Sequence, residues 1–104
     1  MLPYRYAWEK FYVAIRCLAG PGTQRSRLVD AYVESIIFVR PEQVPENIQD
    51  ELQQFNEDIT RVEAEGNEGR VQATVNTMED DEVQRFIDRI ITMYDTITRH
   101  VGPL

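Results

Sequence analysis

Val71-Gln72-Ala73-Thr74-Val75-Asn76-Thr77-Met78 decides the fold of this chain, because it reads two ways. Val71, Ala73 and Val75 alternate as they would on a strand, while Val71 and Val75 also stand one helical turn apart. A strand needs a neighbour to satisfy its backbone, and the sequence offers no second strand. The stretch therefore reads as a short helix over 70–76 or as an extended linker, and the chain as all-α.

The residues just beyond it carry the strongest helix signal in the sequence. Thr77 with Asp80 three residues on resembles a capping box, with Asp in place of the preferred Glu. Glu79, Asp80, Asp81 and Glu82 crowd the first turn, where the helix dipole favours negative charge. Val83, Ile87, Ile90, Tyr94, Ile97 and Val101 then recur at helical spacing, Arg99 and His100 suit the negative end, and Gly102-Pro103 closes a helix over 77–101.

Before the ambiguous stretch, Gly66-Asn67-Glu68-Gly69 reads as a loop. Ahead of it Ile48, Leu52, Phe55, Ile59 and Val62 form the cleanest apolar stripe, on a helix over 45–64 that tolerates Pro45 in its first turn. Pro41 ends a helix over 24–40. Its two apolar rows, Leu28-Tyr32-Ile36 and Val29-Val33-Ile37, mark it as the most buried, and Thr23 is its N-cap. Gly20-Pro21-Gly22 ends a first helix over 4–19, whose stripe is Tyr4, Trp8, Phe11, Ile15 and Leu18. Four amphipathic helices predict an antiparallel four-helix bundle, one domain over 1–104, with the connection after the third helix as the place where topology can deviate.

Charge divides the chain. Residues 1–40 carry six Arg or Lys and three acids, net +3; residues 41–104 carry five Arg and fifteen acids, net −10. An acidic surface of this kind repels nucleic acid and attracts basic partners. The longest apolar run, Ile36-Ile37-Phe38-Val39, is far short of a membrane span, and the first ten residues lack the apolar stretch of a signal peptide. A single cysteine, Cys17, excludes an internal disulfide and suits a reducing cytoplasm.

The residues for familiar catalysis are missing. One histidine and one cysteine cannot make a zinc cluster, and His100 has Ile97, not Glu, three residues before it, so the di-iron pattern of bundles is absent. Glu63, Glu65 and Asn67 alternate like calcium ligands, but the glycines are misplaced and the twelfth position is Thr74. Ser26 and Ser35 lack a nucleophile elbow. Cys17 reads as a structural thiol and His100 as a helix-end residue. The expectation is a non-enzyme with no metal and no cofactor.

Two features invite a binding role. Gly20-Pro21-Gly22-Thr23 with Arg25 and Arg27 places two arginines in the first turns of a helix, the best anion candidate; the competing reading pairs them with the acidic half of the chain. Five aromatics, Tyr4, Tyr6, Trp8, Phe11 and Tyr12, fall within nine residues and cannot all face one core. Tyr6, Tyr12 and Phe38 are the candidate partner surface. The leading expectation is a protein-interaction module of the inhibitor or self-associating kind. A homodimer is favoured, with the first two helices at the interface and Phe38 and part of the Tyr32 row facing outward. The alternative is a bundle that binds a small molecule or anion between its helices, with or without catalysis.

Overall fold

A computed structural model describes residues 3–102. They form five α-helices, α1 (Arg5–Leu18), α2 (Gln24–Val33), α3 (Gln49–Ile59), α4 (Gly66–Thr77) and α5 (Asp80–Val101), with three 3-10 turns between α2 and α3. The chain is all-α, but the four-helix bundle is wrong, because the ambiguous stretch belongs to a full helix of its own. α4 also absorbs the segment expected to be a loop: Gly66, at φ 71°, is its first residue. Burial decides the matter. Val71, Thr74, Val75 and Met78 share one face and are buried, packed towards α2 and α3. That packing overrides the poor helix propensity of two glycines.

The expected capping box dissolves with it. The Thr77 hydroxyl donates to the Thr74 carbonyl at 2.7 Å, so Thr77 finishes α4, and α5 starts after Glu79. The predicted stripe of α5 holds, with Phe86 and Met93 added to its buried set and Tyr94 left half-buried. Gly102 follows α5 at φ 82°; Pro103 lies outside the described residues.

The second helix is seven residues shorter than its apolar rows suggest, ending at Val33 instead of 40. The buried Ser35 hydroxyl donates to the Ala31 carbonyl at 2.6 Å, taking the acceptor that the Ser35 amide would use in a continuing helix. β-branched Ile36 and Ile37 add little helix propensity beyond it. The chain then runs through the 3-10 turns Ile36–Phe38, Pro41–Gln43 and Glu46–Ile48, burying Ile36, Val39, Val44 and Ile48 beneath the helices. α3 is accordingly shorter than 45–64. Pro45 precedes the last of these turns, and Thr60 ends the helix by donating its hydroxyl to the Asn56 carbonyl at 2.6 Å. Val62 leaves the stripe. Its amide donates to the hydroxyl of buried Thr74 at 3.0 Å, fastening the loop after α3 to α4.

Thr23 caps α2 as expected, accepting from the Ser26 amide at 3.1 Å. Gly22, at φ 100°, is required before it: a Cβ there would stand 2.6 Å from the Ser26 hydroxyl.

The core centres on Phe11, Leu28, Leu52, Phe55, Ile59, Ile90 and Ile97, all fully buried. Tyr32 lies inside, not outward: its ring is 5.9 Å from that of Phe55, and its hydroxyl donates to Asn56 Oδ1 at 2.7 Å. α1 lies along α2 and α5, and Trp8 Nε1 donates to the Thr98 hydroxyl at 3.0 Å. No helix among the described residues is long and apolar enough to cross a membrane.

Candidate functional site

Tyr6, Lys10, Val13 and Cys17 recur at helical spacing and make one outer stripe of α1. The 3-10 turn after α2 sets Phe38 beside it. Lys10 Nζ stands 5.6 Å from the Tyr6 ring centroid and 5.2 Å from that of Phe38. Tyr6, Val13 and Phe38 remain 44%, 41% and 57% exposed, so both rings face water, with half-buried Lys10 against them. At the far end of the stripe the Cys17 thiol donates to Glu34 Oε2 at 3.6 Å. Burial, then that hydrogen bond and the charges of Glu34 and Asp30, push the thiol up from its ordinary pKa, which favours its protonated form.

Tyr12 lies elsewhere. Six residues beyond Tyr6, it points about 120° away around the helix. It stacks on Trp8 at 5.4 Å and accepts from Arg16 Nη1 at 3.3 Å. Trp8 also meets Tyr94 at 6.2 Å, and Ile91, three residues before Tyr94 on α5, is exposed as well. The structure thus joins Tyr6 with Phe38 and sets Tyr12 apart. Sequence reasoning missed Lys10 as the residue between the rings. Its position four residues after Tyr6 was the available signal.

The two arginines of α2 also diverge, as residues two apart on a helix must. Arg25 donates from Nη1 to the Val75 carbonyl and from Nη2 to Asp80 Oδ1, both at 2.9 Å, and so clamps α2 to the α4–α5 junction. Arg27 is half-buried, and its Nε is buried without a hydrogen-bond partner among the described residues.

A third place gathers arginines that sequence reasoning passed over. An open cleft of about 470 Å³ between the end of α3 and the first half of α5 is lined by Asp58, Arg61, Glu82, Arg85, Phe86 and Arg89. Arg89 bonds Glu51 at 2.8 Å and Asp58 at 3.1 Å, and its guanidinium carbon lies 5.0 Å from each of the Phe55 and Phe86 centroids. Arg61 pairs with Glu82 at 3.3 Å. The i, i+4 spacing of Arg85 and Arg89 within an acidic half was the legible clue.

His100 sits exposed at the end of α5, its Nδ1 2.9 Å from the Thr96 carbonyl oxygen and its ring edge-on to Tyr4 at 6.2 Å. Among the described residues no group of three or more His, Cys, Asp or Glu side chains is placed to hold a metal ion. Glu63, one of the alternating acids, pairs with Arg70 at 2.9 Å. Comparison with known protein families, curated proteins and solved structures found no match to this chain.

Proposed function

We propose that this chain is a non-catalytic cytoplasmic interaction module that works as a homodimer, docking through the Tyr6–Lys10–Val13 stripe of α1 and Phe38. The observation that carries the reading is the order of charge along that stripe. Lys10 lies one turn to one side of Val13, and Glu34, held at Cys17, lies one turn to the other. Two such stripes laid antiparallel about a two-fold axis near Val13 bring Lys10 of each copy to Glu34 of the other. The exposed rings of Tyr6 and Phe38 and the Val13 side chain then bury against their counterparts. A surface of this kind suits isologous pairing, because each copy offers both the charge and its complement. The lone thiol beside the interface stays reduced in the cytoplasm.

Sedimentation equilibrium tests it. Wild type should reach twice the chain mass of 12.2 kDa as concentration rises. Lys10→Glu and Glu34→Lys should each hold the protein at the single-chain mass, and the double variant should restore the dimer. A single-chain mass at every concentration, or single variants that dimerise like wild type, overturns the proposal.

A further inference from the structure

The cleft between α3 and α5 holds more donor capacity than its own carboxylates use. A guanidinium has five N–H donors. Arg89 spends Nε on Glu51 and Nη1 on Asp58, so no hydrogen bond among the described residues engages its Nη2. Arg61 directs Nη2 to Glu82 and Nη1 to the Asp58 carbonyl at 3.5 Å, leaving Nε. Arg85 has no ion pair and no hydrogen bond among the described residues. Its closest acids along α5 do not answer it: Glu82 pairs with Arg61 at 3.3 Å, Asp88 accepts from Gln84 Nε2 at 3.0 Å, and Asp81 forms no ion pair with it among the described residues. Arg85 is exposed, so its guanidinium stands open to a ligand arriving from solvent beside two anchored ones. The cleft lining carries three arginines and two acids, and Glu51 on Arg89 brings the cluster to charge balance, so what it offers a ligand is its unused donors.

The geometry suits an oxygen-rich anion. Arg61 and Arg89 are fixed by their carboxylates, and the rings of Phe55 and Phe86 back Arg89, so two of the three guanidinium groups need little ordering on binding. A carboxylate has two oxygens and would be satisfied by Arg85 alone. A tetrahedral dianion has oxygens for three guanidinium groups at once. We infer that this cleft binds a phosphate dianion, as free inorganic phosphate or as the head of a phosphomonoester. Arg85 is the principal ligand, with Arg61 Nε and Arg89 Nη2 completing the set. A second cleft of about 220 Å³, lined by Ile48, Glu51, Asp88, Arg89, Thr92 and Met93, shares Arg89 with the first and gives a monoester's organic group somewhere to lie. This site is independent of the α1 surface.

Two-dimensional amide NMR of the full chain, titrated with inorganic phosphate or phenyl phosphate at constant ionic strength with chloride as control, tests it. Saturable shifts are expected at Asp58, Arg61 and the 82–89 segment. Arg85→Gln should weaken binding about tenfold, the worth of one lost charge-assisted contact. Arg99→Gln, at the far end of α5, should leave it unchanged. Tighter binding of phenyl phosphate, with shifts spreading to Thr92 and Met93, identifies a monoester; equal or tighter binding of inorganic phosphate identifies the free ion. Shifts that chloride reproduces, or an Arg85→Gln variant that binds phosphate as well as wild type, overturn the inference.

Discussion

Two cations in this molecule lie against two aromatic rings each, and they differ in what surrounds them. Arg89 stands over Phe55 and Phe86, both buried, and two carboxylates close around its guanidinium. Lys10 stands over Tyr6 and Phe38, both exposed, and no carboxylate among the described residues forms an ion pair with it. The first arrangement is completed within one chain and contributes to its stability. The second leaves two rings facing water with half-buried Lys10 against them, where the cation–ring attraction is worth only about 0.5–1 kcal/mol. The same pairing of cation and ring thus serves folding at one place and is available for association at the other.

The sharpest contrast comes from removing a ring on each side. Phe55→Ala should cost about 3–5 kcal/mol of folding stability, because a fully buried ring leaves a cavity. Phe38→Ala should cost the single chain within about 0.5 kcal/mol while weakening dimerisation by about 2 kcal/mol. Thermal unfolding and sedimentation measured on both variants separate the two effects. A Phe38→Ala chain that unfolds as readily as Phe55→Ala would erase the distinction.

The buried side should also respond to base. Burial pushes the Tyr32 hydroxyl up to about 12, against an ordinary value of about 10 in the unfolded chain. Its contribution to stability is complete below about pH 10 and is lost as pH rises through about 12, because the unfolded chain gives up its proton first. Urea unfolding across this window should show declining stability, with a shallower decline in Tyr32→Phe. An unchanged slope in that variant would assign the titration to another group.

The cations themselves come next. Arg89→Ala should destabilise by about 1–2 kcal/mol, the sum of partly exposed ion pairs and ring contacts. Lys10→Ala should change single-chain stability by less than about 0.5 kcal/mol. The smallest effect is on Cys17. Its alkylation by iodoacetamide should be slow in wild type and faster in Glu34→Gln, since Glu34 raises the thiol both by accepting its proton and by its charge.

The sequence was most legible where several local signals agreed. α5 shows this: acids in the first turn, a continuous stripe and Gly102 at its end all marked the same helix. It was least legible where one side chain or one distant contact decided. Nothing in the apolar rows of α2 announces that the Ser35 hydroxyl will take the Ala31 carbonyl, since the serine is as compatible with a helix interior as with its end. Likewise, Gly66 and Gly69 favour a loop until Val71, Thr74 and Val75 find α2 and α3 to pack on, which is a property of the folded molecule. Of the surface residues, Tyr6 and Phe38 stood out as apolar side chains off the core stripes. Lys10 and the arginines of the α3–α5 cleft did not, because their meaning lies in what they are brought beside.

The 3-10 turns after α2 have a consequence for how the molecule breathes. Phe38 sits in a stretch whose amides are held by single short-range bonds, Phe38 to the Ser35 carbonyl at 3.1 Å and Val39 to that of Ile36 at 2.9 Å. Such bonds open by local fluctuation long before the helices unfold, so these amides should exchange with solvent deuterium early. A ligand that binds only the closed form slows that opening by mass action. Occupancy of the Phe38 surface by a second copy should therefore be written into the backbone as a concentration-dependent lag in deuterium uptake at Phe38 and Val39, a record of association kept by the least regular part of the chain.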